Sequence, residues 1–294
     1  MMKLAEDPTP WYPAPAKINR FLHVIGRDPS GYHQLQTVFQ FLDWGDSLQI
    51  LPRADGQILL QGDLSDLPAE QNLAHRAASL LQQESAVGLG ADILLHKQIP
   101  PGSGLGGGSS DAATVLHVLN RLWGLDWPTE RLAALGLRLG ADVPVFLHGR
   151  ACFAEGRGEK LRDVPAPEGG VCLFLPPVHS STATVFASEQ MRRDAPPIDY
   201  ADWAAAVELG RNDCEAAALA CAPELGPIAS ALRAQADFRL SGTGSAFYCC
   251  VPSRKKAGII GGLVAAVAGH AIVTTLSNLS PLHMMAIPSV GMRP

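Results

Sequence analysis

The segment from Gly102 to Asp111, GSGLGGGSSD, constrains the fold more than any other part of this chain. It has five glycines in its first seven residues, so its backbone can adopt positive φ angles and bring several N–H groups close to one anion. A predicted strand, Ile93–Ile99, precedes it. Apolar residues at helical spacing follow it, namely Ala112, Val115, Leu116, Leu119, Leu122 and Trp123. A glycine loop at the start of a helix predicts a phosphate-binding site, because a helix N-terminus attracts anions.

The loop fits neither of two common nucleotide-binding patterns well. A Walker loop places Lys before Ser or Thr, whereas Gly108 precedes Ser109 here. Gly102, Gly104 and Gly107 match the spacing of the dinucleotide fingerprint, but that pattern belongs in a βαβ unit, and a second helical pattern follows here instead. This disfavours an NAD-binding oxidoreductase, which stays open as an alternative. We expect the two serines and the aspartate after the glycines to cap the helix and to offer oxygen atoms to phosphate or Mg²⁺.

Period-two patterns predict strands at the start of the chain. Lys17, Asn19, Phe21 and His23 alternate with apolar residues, so we expect them to share one face of a strand that begins at Ala16. We expect this strand to open a β-meander. Its later segments are a turn at 28–31, a strand at 34–42, a reversal at 43–46 and a strand at 47–51.

Helical patterns and irregular strands follow. Asn72 is a predicted N-cap for a helix that turns Leu73, Ala77 and Leu81 inward, and Pro128 begins a further helix. The second half mixes strands and helices without regular alternation, which predicts an α+β fold. A segment rich in Pro and Gly at 164–170 predicts a boundary between two domains, 1–164 and 165–294.

Composition narrows the class of protein. With 23 Lys and Arg against 28 Asp and Glu in 294 residues, the net charge of −5 argues against a nucleic-acid partner. The uncharged stretch 258–276 is rich in Gly and Ala, so we interpret 254–276 as a helix and a strand rather than a membrane span. Residues 1–10 have no export signal, and the six cysteines show no metal-ligand spacing, so we expect a cytoplasmic protein with no membrane partner.

Four segments together resemble the GHMP kinase superfamily, which includes galactokinase, homoserine kinase and mevalonate kinase. They are PAKIN at 15–19, PPGSGLGGGSSDAA at 100–113, LGADVP at 139–144 and SGTGS at 241–245. Three more segments are similar to one branch of that superfamily, whose substrate is a polyol linked to cytidine diphosphate. They are GYH at 31–33, NDCE at 212–215 and NLSPLH at 278–283.

The resemblance implies an activity and a set of site residues. It implies an α+β, two-domain GHMP-kinase-like fold, with an N-terminal ATP-binding domain, a C-terminal substrate domain and the active site in the cleft between them. ATP with Mg²⁺ would phosphorylate the 2-hydroxyl of the polyol, with Asp142 as general base and Lys17 as its charged partner. The implied ATP-binding residues are Asn72, Pro100, Pro101, Gly102, Ser103, Gly104, Leu105, Gly106, Gly107, Gly108, Ser109 and Ser110. The implied substrate-binding residues are Asn19, Tyr32, His33, Thr182, Phe186, Gly242, Thr243 and Gly244, with Tyr32 and Phe186 around the cytosine.

The chain departs from the family pattern in three places. Arg20 stands where an apolar residue is expected, Asp111 stands where some members carry Asn, and the segment before Thr182 lacks a proline. Another small-alcohol kinase of the superfamily, of the homoserine or mevalonate type, and an inactive nucleotide-binding module remain alternatives. We expect a small-molecule substrate, no metal site made by the protein alone, and a monomer or weak homodimer.

Overall fold

The computed structural model describes residues 9–29, 31–63 and 68–288, and within them the predicted α+β class is confirmed. Ten strands are described: β1 (Tyr12–Arg27), β2 (His33–Arg53), β3 (Ile58–Gly62), β4 (Gly90–His96), β5 (Cys152–Gly156), β6 (Lys160–Asp163), β7 (Gly170–Phe174), β8 (Arg239–Leu240), β9 (Phe247–Val251) and β10 (Ile272–Ser277). The α-helices of the same residues are α1 (Leu73–Ser85), α2 (Gly107–Leu122), α3 (Thr129–Leu137), α4 (Val143–His148), α5 (Thr182–Ala187), α6 (Trp203–Leu209), α7 (Glu215–Cys221), α8 (Leu225–Arg233) and α9 (Arg254–Ala268).

The strands form one extended sheet, described by the order β3-β4-β2-β10-β7-β9-β8. The long strand β2 is its centre, because it pairs antiparallel with β1, β4, β5 and β10 at different points along its length. Only the β3–β4 pair is parallel among the described strands. The strand β10 pairs with both β2 and β7, so it joins the strands of the first half of the chain to those of the second.

The predicted reversal at 43–46 is wrong, and so is the β-meander. The strand β2 continues through these residues without turning, and Gly45 pairs with Pro15 two positions before Lys17 pairs with Phe41. Three residues of β2 therefore lie opposite Ala16, which makes this segment a bulge instead of a turn. The pairing with β1 continues on both sides of the bulge, and that pairing overrides the local turn tendency of Asp and Gly.

The predicted shared face of β1 holds only as far as Asn19. The pairing with β2 shifts by one residue between Asn19 and Leu22, and a shift of one residue exchanges the two faces of a strand. Leu22 consequently lies beside Lys17 and Asn19 on the wall of the cleft described below. Phe21 instead packs with Phe153 in a separate apolar cluster. The expected turn after β1 is present, with Gly31 N donating to Asp28 O at 2.9 Å, while Ser30 lies outside the described residues.

Apolar helix faces cover the sheet in each half. The predicted N-cap of α1 is confirmed, since Asn72 accepts a hydrogen bond from the Ala74 N–H at 2.9 Å. In α2 the predicted inward positions are all buried, and they pack with α1, α3 and α4 against the first strands. The predicted helix and strand at 254–276 are also confirmed, as α9 and β10. Among the described helices, none has the length and apolar character needed to cross a membrane.

Candidate active site

A cleft of about 510 Å³ lies where β1, the glycine segment and the loop at 241–245 meet, and we call it the main cleft. Most of the site residues predicted from the sequence line it. They are Lys17, Asn19, Asn72, Pro100, Pro101, Gly102, Ser103, Gly104, Gly106, Gly107, Gly108, Ser109, Asp142, Thr182, Phe186, Gly242 and Thr243. Leu105 and Ser110 are fully buried, and Leu105 anchors the glycine segment in an apolar cluster with Ile18 and Tyr248.

The strand β1 presents a lysine whose charge is held inside the protein. Lys17 is only 4 % exposed, and its Nζ donates to Asn19 Oδ1 at 2.7 Å and to Gly104 O at 3.2 Å. The same Nζ lies 5.0 Å from the centroid of the Phe39 ring, close enough for a cation–π interaction. These contacts fix the ammonium group at the base of the main cleft.

Asp142 supplies the matching carboxylate. It is the N-cap residue of α4, but its side chain makes no capping hydrogen bond. Its Oδ2 instead lies 3.2 Å from Lys17 Nζ, and about a third of its side chain is exposed. Pro144 supports the helix start independently, because proline is favoured in the first turn. The carboxylate is therefore available at the cleft surface beside a buried cation.

The glycine segment presents a row of backbone donors to the main cleft. The helix α2 begins at Gly107, and its N-cap is Gly106 in the left-handed region at φ 76°. The predicted cap by serine and aspartate is therefore wrong, because Ser109 to Asp111 already lie inside the helix. The N–H groups from Gly104 to Ser109 donate to no acceptor within the described residues, whereas Ser110 N bonds to Gly106 O. Such a row at the positive end of a sixteen-residue helix is suited to phosphate oxygens.

Close backbone packing explains why glycine is needed in this segment. A Cβ atom on Gly104 would lie 2.3 Å from Ser241 O, and one on Gly106 would lie 2.8 Å from the Phe146 ring. Both residues also have positive φ angles, which L side chains rarely adopt. Hydrogen bonds tie the segment to the loop at 241–245, which we call the second glycine loop, since Ser245 N donates to Gly102 O at 3.1 Å. The two loops are therefore joined and together form one wall of the main cleft.

A buried charged cluster lies beside the glycine segment, at the start of α2. Lys97 Nζ contacts Asp46 and lies 2.8 Å from Asp111 Oδ2, and Asp46 Oδ1 accepts the Ile99 N–H at 2.8 Å. Burial raises the pKa of Asp111 to about 7, although Lys97 opposes that rise. Burial also disfavours the charge of Lys97, but the two carboxylates outweigh it and raise the pKa of that lysine. One cation thus lies between two buried carboxyl groups.

Hydroxyl groups line the opposite side of the main cleft. Thr182 Oγ1 and Thr243 Oγ1 lie 3.1 Å apart and hydrogen-bond to each other. Ser180 Oγ donates to Thr243 O at 2.7 Å, which fixes the second glycine loop against the start of α5. Gly242 lies near Asn19, since a Cβ atom on it would be 3.2 Å from Asn19 Oδ1. This side therefore offers hydroxyl and amide groups to a polyol.

Of the predicted cytosine-binding residues, Phe186 lines the main cleft, whereas Tyr32 and His33 are not among its lining residues. The rings of His33 and Phe186 are 4.9 Å apart and inclined by 30°. Burial lowers the pKa of His33 below its ordinary value, and Arg27 and Arg193 lower it further. Both arginines donate from Nε to His33 Nε2 at 3.2 Å, so the neutral ring carries its proton on Nδ1. His33 consequently offers one N–H donor to a base edge.

Tyr32 is the exposed member of this group, with 58 % of its surface accessible. The guanidinium of Arg157 covers its ring at 3.7 Å from the centroid and also contacts Asp28 at 3.0 Å. Arg157 itself lines the main cleft. The expected sandwich of cytosine between Tyr32 and Phe186 stays a prediction.

Several lining residues were not found by sequence reasoning. Lys97, Phe39, Thr37, Asp63 and Arg157 all line the main cleft. Lys97 lay inside the predicted strand Ile93–Ile99, but the structure ends β4 at His96 and leaves Lys97 between that strand and the glycine segment, so its place shortly before the glycines was the usable signal. The others had no local signal, because strand pairing alone brings them to the cleft.

The comparisons with known proteins agree with this geometry. Residues 72–150 match the family described as GHMP kinases N terminal domain. A relative from Pseudomonas syringae pv. syringae (strain B728a), named 4-diphosphocytidyl-2-C-methyl-D-erythritol kinase, is 46% identical over 273 residues, covering 92% of this chain and 95% of the relative. A relative of the same name from Aromatoleum aromaticum (strain DSM 19018 / LMG 30748 / EbN1) is 49% identical, covering 83% of this chain and 86% of its own length. The chain belongs to the 4-diphosphocytidyl-2-C-methyl-D-erythritol kinase family.

Solved structures are more similar to this chain within its own family than in another branch of the superfamily. A crystal structure of 4-(cytidine 5'-diphospho)-2C-methyl-D-erythritol kinase superposes with a TM-score of 0.78 at 35% identity, covering 91% of this chain and 99% of that one. A homoserine kinase from Cytophaga hutchinsonii reaches 0.65 at 16% identity, covering 95% and 98%. The second likeness shows the shared fold alone. The GHMP-kinase fold and small-molecule kinase class expected from the sequence are therefore confirmed.

Proposed function

We propose that this chain uses ATP to phosphorylate the 2-hydroxyl of 4-diphosphocytidyl-2-C-methyl-D-erythritol, a step of the non-mevalonate isoprenoid pathway. The observation that carries the proposal is the placement of the Lys17–Asp142 pair in the same cleft as the free N–H row of the glycine segment. Family membership at 46% identity supports the choice of substrate. The two features together match what phosphoryl transfer to an alcohol requires, which is a phosphate cradle and a positioned proton acceptor.

The phosphate side of the reaction rests on backbone electrostatics. The N–H groups from Gly104 to Ser109 would bind phosphate oxygens, and the helix dipole of α2 adds positive potential there. The ammonium of Lys17 donates a hydrogen bond to Gly104 O in the glycine segment. It would therefore stabilise negative charge on the phosphoryl group being transferred. Asn72 would lie at the adenine end, because it lines the cleft beside Lys97.

The alcohol side rests on Asp142. Its Oδ2 is close to Lys17 and its other oxygen makes no capping bond, so the carboxylate can accept a proton from a substrate hydroxyl. Lys17 attracts this carboxylate directly across the 3.2 Å contact. Asn19 would orient the lysine, since its Oδ1 accepts a hydrogen bond from the ammonium group at 2.7 Å. Hydroxyls of Thr182 and Thr243 would bind the polyol or its phosphates.

The cytidine end would be recognised by rings and one N–H donor. Phe186 and Tyr32 would stack on the base, and the Nδ1–H of His33 would donate to its edge. Arg193 supports this arrangement, because it also donates to Phe186 O at 3.0 Å and so fixes the two rings together. Gly244, next to Thr243, completes the second glycine loop beside Gly104.

Magnesium would accompany the nucleotide. Within the described residues, no group of three or more His, Cys, Asp or Glu side chains is placed to hold a metal ion. Mg²⁺ commonly binds through phosphates and retained waters with few protein ligands, so a cleft that holds the triphosphate fits it. The ion would neutralise negative charge on the nucleotide's phosphates.

The proposal includes how the chain is organised and where it acts. We propose that residues 1–164 form the ATP-binding domain and residues 165–294 the substrate domain. One large apolar cluster lies mainly in the first range and another mainly in the second, although Leu282 packs in the first cluster and Leu22 and Val24 pack in the second. We also propose a cytoplasmic protein that works as a monomer or weak homodimer. Sedimentation of the purified chain across a concentration series checks the second of these.

An ADP-release assay tests the proposed reaction. The chain with ATP and Mg²⁺ is given 4-diphosphocytidyl-2-C-methyl-D-erythritol, homoserine or mevalonate in parallel. We expect turnover with the first substrate only, and the phosphorylated position is read by phosphorus–carbon NMR coupling, because the carbon that bears the 2-hydroxyl carries no hydrogen. Faster turnover with homoserine or mevalonate would reject the proposed substrate, and nucleotide binding without any turnover would point to an inactive binding module.

A further inference from the structure

The residue that departs from the family pattern in β1, Arg20, has no role in the main cleft. It is 8 % exposed, and its Nη1 donates to Gln40 Oε1 and to Pro167 O. Within the described residues, no carboxylate lies within ion-pair distance of it. The Nε and Nη2 donors of Arg20 have no protein partner within the described residues, yet they are not sealed from solvent. The remaining donors of Arg20 are therefore the feature to explain.

Arg20 lines a second cavity of about 310 Å³, which we call the Arg20 cavity. Its walls are formed by Arg20, Pro167, Trp203, Ala204, Val207, Glu208, Asp237, Arg239, Tyr248 and Cys250. None of these described residues also lines the main cleft. The volume is at the lower end of the range typical of small-molecule sites. The second cavity is therefore a separate pocket large enough for a compact ligand.

A second guanidinium is held rigidly at the same cavity. Arg239 donates to Val207 O and Glu208 O, each at 2.9 Å, and pairs with Asp237 at 2.7 Å. Asp237 is largely exposed, with 73 % of its side chain accessible, and Glu208 is also exposed at the surface. Solvent screens these two acids, whereas the charge of Arg20 is buried. The cavity thus favours an anion at its buried end.

The remaining walls define the rest of the ligand. Trp203 contributes a flat indole and Val207 an apolar side chain. The hydroxyl of Tyr248 is not available, because it donates to Asn19 O at 2.9 Å and Arg20 O at 3.2 Å. An apolar or aromatic body against Trp203 would leave an oxyanion group to reach Arg20. Guanidinium groups bind phosphate and carboxylate well, since their N–H donors match two oxygens at once.

We propose that the Arg20 cavity is a second ligand site, which takes a small molecule with a phosphate or carboxylate group on a compact apolar body. The oxyanion bonds to the free donors of Arg20, and the body packs on Trp203. The site lies directly behind Asn19, because Tyr248 bonds the backbone of both Asn19 and Arg20.

Calorimetric titration with phenyl phosphate, benzoate and phenol tests this proposal on the full chain. We expect phenyl phosphate or benzoate to bind and neutral phenol to bind at least about tenfold more weakly, as one lost charge-assisted interaction implies. Tighter binding of phenyl phosphate would assign the site to phosphates, and tighter binding of benzoate to carboxylates. Equal binding of phenol, or no binding of either anion, would overturn the proposal.

Two variants locate the binding. Arg20→Leu should weaken both anions about tenfold or more, whereas Arg192→Gln, which removes an exposed arginine paired with Asp194, should leave binding unchanged. Since Arg20→Leu can alter folding, Trp203→Ala serves as a second variant at the cavity wall. We expect it to weaken phenyl phosphate while leaving inorganic phosphate unaffected. Anion binding that survives both Arg20→Leu and Trp203→Ala would place it elsewhere and reject the site.

Discussion

At the scale of single residues, the contacts of Lys17 decide what the main cleft can do. The ammonium group is buried, yet three oxygen atoms and one ring surround it. Because Asp142 is its only carboxylate partner within the described residues, the pair behaves as one unit that faces the phosphate cradle. Removing either charge therefore leaves the other uncompensated.

The first prediction concerns Asp142→Asn. Asparagine keeps the size and the helix N-cap preference of the residue but cannot accept a proton as carboxylate does, so we expect kcat to fall by at least ~10²-fold. The KM for ATP should change little, since the N–H row is untouched. Steady-state kinetics measure this. The control is Asp194→Asn, an exposed aspartate away from the cleft, and a normal kcat in folded Asp142→Asn would remove the base assignment.

The second prediction concerns Tyr32→Ala. Loss of one stacking ring costs about 1–3 kcal/mol, so we expect the KM for the cytidylyl substrate to rise about tenfold or more while that for ATP stays the same. Tyr200→Ala is a matched control, because Arg162 covers the Tyr200 ring at 3.6 Å as Arg157 covers Tyr32, but Arg162, unlike Arg157, does not line the main cleft. Similar effects of both variants on the cytidylyl KM would contradict a specific stacking role.

At the scale of elements, sequence patterns predicted the helices more accurately than they predicted the pairing and the faces of the strands. The inward faces of α1 and α2 followed from spacing alone, because a helix repeats every 3.6 residues whatever packs on it. The bulges in β1 and β2 did not, since a bulge depends on the register of two paired strands. Leu22 was therefore assigned to the wrong face, and the segment at 43–46 was read as a turn.

The third prediction concerns Gly106→Ala at the start of α2. The positive φ angle of 76° strains any L residue, and the new Cβ would lie 2.8 Å from Phe146 and 3.2 Å from Lys17 Cε. We expect lower stability and a higher KM for ATP, because the N–H row and the lysine must both shift. Thermal unfolding and steady-state kinetics measure the two effects.

Gly124→Ala separates backbone strain from damage to the site. Gly124 also has a positive φ angle, 65°, but nothing lies within 4 Å of its would-be Cβ. It should lose roughly 1–2 kcal/mol of stability, as a strained backbone implies, with no change in KM. If Gly106→Ala matched Gly124→Ala in both measurements, the N-terminus of α2 would not be the phosphate cradle.

At the scale of the whole molecule, the main cleft is assembled from segments far apart in the sequence. Lys17, Gly104, Asp142 and Thr243 meet only because β10 joins the two groups of strands and the glycine loops bond to each other. Each motif that carries one of these residues could be recognised in the sequence by itself, and the family resemblance supplied the roles of the residues. The distances between these residues could not be predicted, because they depend on strand pairing and loop contacts across the whole chain.

The last prediction concerns how global stability depends on pH through Asp111. Its pKa is raised to about 7 in the folded chain by burial, against an ordinary value of 3.8. Between about pH 4 and 7 the folded state therefore holds a proton that the unfolded chain has released. Since the folded state holds this extra proton, the contribution of Asp111 to the free energy of unfolding should fall as pH rises, by at most about 1.4 kcal/mol per pH unit, and level off above pH 7. The lowered pKa values of His23, His33, His117 and His283 act in the opposite direction below about pH 6.5, so the Asp111 contribution is read as a difference between variants.

Asp111→Asn tests this origin of the pH dependence. Asparagine keeps the shape and does not titrate, so Lys97 then pairs with Asp46 alone. We expect the variant's free energy of unfolding to fall less, or to rise more, than the parent's between pH 5 and 7, and the variant to be at least as stable as the parent at pH 8. Urea unfolding at several pH values measures this, with Asp194→Asn as the control that should keep the parent slope. An unchanged slope in Asp111→Asn would mean that the buried carboxyl group does not titrate in this range, and that its charge is already balanced by Lys97.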